Sequence, residues 1–522
     1  MRQSVQVNLI FLLVGAVLIV IGGCILIFWP AIFKSFLSKE LMIDEKSQSF
    51  KEWKSPSIEL YFDVYLFNWT NAEDYTFPEF TKPIFEELGP YRFREYRDKT
   101  DLKFHQHNST VSYKPFSTYI FDEQGSKGSL DDVLTTINVV AVGAVAQSLK
   151  MDYNHKKLIS IALNGYEEEI TVTKSARELL FEGYEDNMVL MGKANLIEGF
   201  NISHIPYDKI GFFYMRNAST ALSGMHNVHT GKDDSSKLGT IQNYKGSDFS
   251  NMYGGECSKV KGSPGELFPL DQQIVTLSIF TPDMCRSLPF DFEREVDVFG
   301  VKGYRYLAGE RLIDNGTKYP ENLCYSEGSE RTYPSGVFNL SACRFSSPVF
   351  MSYPHFYGAD EYYLDLVQGL EPNRSKHESY ITLEPMTGVP LEVVMRFQLN
   401  FLLKDSEDIA LFQSCPTTFI PTLWVEQKYK IDEKMIDELK IAVKVPYFGR
   451  IVGLIIFVLG IVCVLITIII KCITRQTLKE ADVNLPEIKG ENRKPKERSS
   501  PLLTDGKLRQ NIKIQKMDQQ VD

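Results

Sequence analysis

Two stretches of the chain have an apolar run that no charge interrupts. From Leu9 to Trp29 it reads LIFLLVGAVLIVIGGCILIFW, 21 positions, and from Ile451 to Ile470 it reads IVGLIIFVLGIVCVLITIII, 20 positions. At about 1.5 Å of rise per residue, each is long enough to cross the roughly 30 Å hydrocarbon core of a bilayer as one helix. A cleaved signal would have a shorter apolar core, about 7 to 15 residues, ending in small side chains. Here Phe28, Trp29, Pro30, Ile32 and Phe33 lie at and beyond the end, with Lys34 outside them, so the run reads as an uncleaved anchor. Gly15 and Gly22 in the first run, and Gly453 and Gly460 in the second, leave small surfaces for helix packing without G-x-x-x-G spacing.

Between the runs the period changes. Ile58–Phe67 alternates apolar and polar residues, and Tyr91–Tyr96 does so after a Gly89-Pro90 turn, so both predict antiparallel strands. Over residues 131–184 the period becomes helical. Asp131 and Asp132 suit a helix N-terminus, and Val133, Leu134, Ile137, Val140, Ala141, Ala144, Val145 and Leu149 form a stripe ending near Lys150. A second helix is expected from His155 to Leu163, stopped by Asn164-Gly165, and a third over Ser175–Phe181. After Gly183 strands and turns return, with strand-like runs at Gln273–Phe280, Gly303–Ala308, Val349–Tyr353, Tyr380–Leu383, Leu391–Leu403 and Thr418–Val425. The tail from Lys471 to Asp522 is polar and aperiodic, and reads as disordered. The expected organisation is therefore a short N-terminus (1–8), a span (9–29), an ectodomain (30–450) with a helical insert, a second span (451–470) and a tail (471–522).

Composition adds the compartment. A net charge of -10 speaks against a nucleic-acid partner, which would want a basic surface. Lysines and arginines flank both sides of the spans, so charge alone does not orient them. The Asn-X-Ser/Thr triplets at Asn68, Asn108, Asn201, Asn217, Asn315, Asn339 and Asn373 all fall between the spans and none in the tail. That distribution points to a glycosylated, extracellular or lumenal domain with both termini cytoplasmic. Five cysteines lie in this domain, Cys257, Cys285, Cys324, Cys343 and Cys415, and an odd number leaves the pairing open, with Cys415 the best candidate for the unpaired one. Cys472 sits where a thiol is open to acylation at the inner face.

Catalytic patterns are lacking: there is no G-x-S-x-G elbow, P-loop, G-x-G-x-x-G or H-E-x-x-H, and no enzyme, cofactor or metal is expected. His105-Gln-His107 and His226-Asn-Val-His229 have a spacing that metal ligands use, but without Cys or carboxylate partners both read as ordinary strand residues. Lys150, His155, Lys156 and Lys157 form a positive turn able to receive an anionic ligand; a solvated turn is the plainer reading, and Glu167, Glu168 and Glu169 follow closely enough to cancel its field. In the tail, Leu502-Leu503 follows Glu497 one residue further than an acidic dileucine sorting signal requires.

Certain motifs together resemble the class B scavenger receptors. They are Glu87-Leu-Gly-Pro-Tyr-Arg-Phe93, Ala176-Arg-Glu-Leu-Leu180 with Gly183-Tyr184, Cys285-Arg-Ser287, Pro348-Val-Phe-Met-Ser-Tyr-Pro-His-Phe356 and Glu384-Pro-Met-Thr-Gly388. The resemblance runs through both spans and the whole ectodomain. It implies a two-span membrane protein with a large, mainly antiparallel β-barrel ectodomain, a membrane-distal helical cap bundle at about residues 131–184, and an apolar tunnel toward the bilayer. Lipids, sterols or lipoprotein particles would engage the cap, and lipid would pass through the tunnel to the membrane, with a possible part in endocytic or phagocytic uptake. The alternative is an endolysosomal receptor whose cap sorts a protein partner. The resemblance also implies Cys257 with Cys324 and Cys285 with Cys343 as bridges. A third family pair is missing, with Ser326 where one partner would fall. Where the fatty-acid-binding member carries lysines this chain has Gly165 to Glu167, which widens the expected ligands to neutral lipids, sterols, carotenoids or cationic protein surfaces.

Overall fold

The computed structural model describes residues 2–56, 58–76, 78–149, 151–194, 205–325 and 333–483. Both apolar runs are helical and extend well beyond the uncharged stretches: α1 covers Arg2–Leu41 and α9 covers Glu433–Val483, with Pro30 and Pro446 inside them. Their membrane-compatible parts are Val7–Leu41 and Glu433–Thr477. The chain forms two compact units, one of the outer segments of these helices (up to Gly22 and from Ile455) and one from Gly23 to Leu454. In the first unit, glycine lets the two backbones meet. A Cβ on Gly460 would lie 2.7 Å from the Ile19 nitrogen, and one on Gly22 would lie 2.5 Å from that of Phe457. Close packing of small residues, the main source of helix association in lipid, is thus present without the G-x-x-x-G spacing.

The second unit is built on one long antiparallel sheet. Its strands are β1 (Leu60–Trp69), β2 (Phe85–His105), β3 (Thr110–Phe121), β6 (His226–His229), β7 (Ile241–Tyr244), β8 (Leu277–Thr281), β9 (Arg286–Val298), β10 (Val301–Ala308), β13 (Ser379–Leu383), β14 (Pro390–Leu403) and β15 (Thr418–Lys430), while β4 (Val133–Ile137) and β5 (Thr171–Ser175) form a separate pair. The order is β7-β6-β3-β2-β1-β15-β14-β13-β10-β9-β8, with β11 (Phe338–Asn339) and β12 (Val349–Ser352) branching off β14. The two edges are joined through residues 262 and 263. The Ile241 amide donates to the Gly262 carbonyl at 2.8 Å, the Ser263 amide to Ser278 at 3.0 Å and the Phe280 amide to Ser263 at 2.9 Å. This strap nearly closes the sheet into the expected barrel and shields its edges.

Three local expectations need correction. Gly89-Pro90 is not a turn: β2 runs through it, and Gly89, at φ 121°, absorbs a shift in register between Val64 opposite Tyr91 and Leu66 opposite Leu88. The first insert helix does not begin at Asp131. Val133-Leu-Thr-Thr-Ile137 is β-branched at every position but Leu134 and pairs with β5, and α3 (Val139–Ser148) starts only where the Asn138 side chain accepts the amides of Val140 and Ala141. The third helix shrinks to a π-helical turn, Glu178–Glu182, because Thr171–Ser175 is needed as the partner of β4. The helix α4 (Tyr153–Gly165) appears as expected, capped by Asp152, and α5 (Asn187–Lys193), capped by Asp186, adds a helix not foreseen beyond Gly183. Helix α2 (Gln48–Lys54) follows α1, and three single-turn helices, α6 (Glu310–Ile313), α7 (Glu361–Asp365) and α8 (Arg374–His377), sit in the connections.

Candidate functional site

Strand β14 sets the site. Side chains alternate across a strand, and from Val393 to Phe401 one face carries Val393, Met395, Phe397, Leu399 and Phe401 while the other carries Val394, Arg396, Gln398 and Asn400. The first face lines a cavity of about 1070 Å³. Strand β15 contributes Leu423, Val425, Gln427 and Tyr429 to the same wall in register, with Leu399 opposite Leu423 and Phe397 opposite Val425. At one end the cavity reaches Val139, Val140, Gly143 and Ala144 of α3 and Met188 of α5; at the other it reaches Leu41, Trp53 and Met435, where α1, α2 and α9 join the barrel. A single mostly apolar space therefore runs from the helical insert to the base, along roughly 27 Å of strand for the nine residues 393–401. It is at the upper end of the roughly 300–1,000 Å³ usual for small-molecule pockets.

The opposite face of the same strands is polar, buried and fully engaged. Arg396 donates Nε to Glu426 Oε2 at 2.5 Å and Nη1 to the Glu378 carbonyl at 2.7 Å. Gln398 accepts the His355 amide and donates to Asn400 Oδ1, both at 2.7 Å, and Asn400 donates to Ser352 Oγ at 3.0 Å. Glu87 accepts from Trp424 Nε1 at 2.7 Å and from His355 Nε2 at 2.5 Å. The His355 Nδ1 accepts the Glu371 amide, so its proton sits on Nε2. Burial works against the Glu87 carboxylate, but these two donors hold it below the ordinary range. His377 stacks on His355 at 4.6 Å, and burial, with His355 beside it, pushes its pKa down to about 3. Glu87 and His355 belong to two of the motifs singled out above, whose role in this fold is thus to seal the outside of the cavity wall.

The basic turn is spent on internal partners. Lys150 lies outside the described residues; His155 Nδ1 is 2.9 Å from Asp152, Lys156 Nζ is 3.1 Å from Asp408, and Lys157 donates to the Asp408 carbonyl at 2.9 Å. Around them the insert exposes apolar side chains instead: Tyr153, Leu158 and Ile161 of α4, with Leu149 and Leu190. The paired histidines of both spacings bind no common partner. His105 Nε2 meets Ser112 Oγ at 2.9 Å, His226 Nδ1 meets the Gly224 carbonyl at 3.1 Å, and no metal-ligand group occurs among the described residues.

Cys257 and Cys324 are bonded, with Cα atoms 5.8 Å apart. Cys285 and Cys343 are not bonded here; the Cys285 thiol donates to the Pro282 carbonyl at 3.4 Å. Cys415 is buried and unpaired, its sulfur 3.4 Å from the Tyr75 hydroxyl. Cys472 is exposed on α9. Of the sequon asparagines, Asn108, Asn217 and Asn373 are exposed and Asn68, Asn315 and Asn339 half-buried; Asn201, Ser326, Leu502 and Leu503 lie outside the described residues. Asn217 and Asn315 donate Nδ2 to the carbonyls of Tyr119 and Tyr333, at 3.1 and 2.9 Å, a bond that the one N–H left on a glycosylated amide can still make.

The profile of the CD36 family matches residues 13–471. Similar curated proteins include the protein peste of Drosophila melanogaster, 38% identical over 436 residues (83% of this chain and 77% of that protein). Scavenger receptor class B member 1 of Sus scrofa is 29% identical over 414 residues (79% and 78%), and lysosome membrane protein 2 of Mus musculus is 28% identical over 460 residues (87% and 92%). With this match, two apolar terminal helices and a nearly closed antiparallel barrel, the chain is a membrane protein that belongs to the CD36 family of class B scavenger receptors.

Proposed function

We propose that this protein is a receptor that takes lipid from particles at its helical insert and passes it through the barrel cavity to the membrane. The observation that carries the reading is the apolar wall of β14 and β15, continuous from α3 to the base where α1 and α9 join. Acyl chains and sterols gain about 0.8 kcal/mol per methylene on leaving water, and such a wall keeps that gain available along the whole path. The exposed Tyr153, Leu158 and Ile161 suit a docking surface for a lipid-bearing particle. Scavenger receptors are among the relatives, which favours lipid or lipoprotein ligands over a catalytic role.

In this reading the sequons face the lumen or the cell exterior, both termini are cytoplasmic, and Cys285 and Cys343 close a second bridge in that oxidising space. The runner-up, an endolysosomal receptor for a protein ligand, is favoured by the likeness to lysosome membrane protein 2. Lipid extraction of the purified protein tests the main reading. Mass spectrometry should find a lipid class enriched over an unrelated membrane protein purified alongside; equal extracts would refute it. Imaging separates the runner-up, which requires a lysosomal steady state that is lost on replacing Leu502 and Leu503 by alanine.

A further inference from the structure

Four charged side chains that meet one another interrupt the apolar cavity. Arg97 from β2, Arg216 from the segment before β6, Asp283 from the β8–β9 connection and Arg344 after β11 all line it. These groups are surrounded by protein, yet their side chains keep accessible surface, 32% for Arg97 and 56% for Asp283, and that surface opens into the cavity. Arg97 is matched by Glu95 in a two-point contact of 2.8 and 3.2 Å. Glu95 is itself fixed by Ser117, Tyr119 and Gln427. Arg97 Nη1 has no partner among the described residues. Arg216 Nη2 lies 2.6 Å from Asp283 Oδ1, and Arg344 donates Nη2 to the Asp283 carbonyl at 2.6 Å while standing 3.8 Å from the same carboxylate.

Two guanidiniums thus share one carboxylate, leaving a positive charge in excess on a mostly apolar wall. A buried unmatched charge is costly, and an anion able to accept two or three N–H groups relieves it. Burial opposes the charge on Asp283, but Arg216, Arg344 and Arg97 together hold its carboxyl below the ordinary range. The remaining acids of the cavity are Glu266, whose Oε2 meets Lys99 Nζ at 2.9 Å, and Glu40, Glu52 and Glu438 on α1, α2 and α9. Sequence offers no local signal for this cluster, because the groups come together from four separate segments.

We propose that Arg97, Arg216 and Arg344 form a head-group site inside the cavity for a lipid bearing a carboxylate or phosphate, and that Asp283 is a built-in carboxylate that competes with it for the arginines. The inference rests on the reading of the cavity as a lipid site and adds which lipids it selects. When an anionic head arrives, its oxygens take the N–H groups facing the cavity and its chain lies along Met395, Phe397 and Leu399. Neutral lipids fit the same wall but gain nothing at the arginines.

The test uses the full chain in phosphatidylcholine nanodiscs and two photoactivatable probes, a diazirine-bearing palmitate and the corresponding palmityl alcohol, with labelled peptides mapped by mass spectrometry. In the wild type, half-maximal labelling of cavity peptides should need about ten-fold less acid than alcohol, as one charge-assisted contact implies. Arg216→Gln with Arg344→Gln should bring that ratio to about one, leaving alcohol labelling unchanged and so showing an intact fold. Asp283→Asn removes the competitor and should widen the ratio. Acetate should not displace the palmitate probe; displacement at matched concentration would make this a site for free anions and overturn the lipid assignment. A wild-type ratio near one, or a ratio that Asp283→Asn narrows, overturns the head-group inference alone. Failure of both probes to label the cavity overturns the lipid reading itself, and this inference with it.

Discussion

The two faces of the β14–β15 pair are made from alternate residues of the same strands and have opposite chemistry. Met395, Phe397 and Leu399 face an open cavity, while Arg396, Gln398 and Asn400 between them are buried in a closed hydrogen-bond network. In most barrels the inner face forms the core and the outer face meets water. Here the outer face is covered by loops carrying His355 and His377 and does the work of a core, which frees the inner face to stay unfilled. A wall that must remain empty on one side has to be held from the other.

This contrast makes substitutions at neighbouring positions behave differently. The largest effect is expected on the sealed face. Glu426→Ala leaves the Arg396 guanidinium buried without its counter-ion, a loss on the order of 3–5 kcal/mol. Leu399→Ala, three residues beyond Arg396 but on the cavity face, should cost less, because that side chain is only partly buried and borders open space. Urea unfolding followed by tryptophan fluorescence compares the two, and similar losses would break the distinction. Next is the Cys257–Cys324 bridge. Replacing both cysteines by serine should lower stability by about 2–4 kcal/mol, read as a fall in Tm.

The third effect is a pH dependence confined to the sealed face. His377 is kept neutral by burial, with a pKa of about 3 against about 6.5 in the unfolded chain. Its folded value is depressed, so the unfolded state binds the extra proton. Stability is fully present above about pH 6.5 and is lost as pH falls from there toward 3, amounting to about 2 kcal/mol at pH 5. The His377→Gln variant should show a shallower slope of stability against pH between 7 and 5; an unchanged slope would remove His377 from the account. The smallest effect belongs to the turn of the helical insert. Lys156→Ala breaks a partly exposed pair with Asp408 and should shift stability by less than about 1 kcal/mol.

Much of this contrast was legible in the chain, and what was not has identifiable causes. The alternation of Met395 to Phe401 marks a strand with one apolar face, but an apolar face toward a cavity and one toward a packed core have the same pattern. The membrane helices were plain because no charge interrupts them, whereas their ends ran past the apolar limits, since Pro30 and Pro446 were accommodated within a helix. Residues 133–137 satisfied a helical stripe by coincidence. Their β-branched side chains and the Asn138 cap were the better signals, and β5, some 35 residues away, decided the outcome. The motif around Glu87 and that around His355 lie 268 residues apart in the chain. That they meet at 2.5 Å required the fold.

The central claim is that the cavity face is a lipid path, and occluding it without disturbing the sealed face is the most direct test. Leu399→Trp places an indole in the open space beside Leu423 while leaving Gln398 and Asn400 in place. Cells displaying equal surface amounts of wild type and variant would be given a fluorescent cholesteryl ester in lipoprotein particles, with particle binding and lipid uptake measured separately. The account predicts unchanged binding and uptake reduced to near that of cells lacking the receptor. Uptake that matches the wild type, with the tryptophan variant folded and bound to particles, would contradict it.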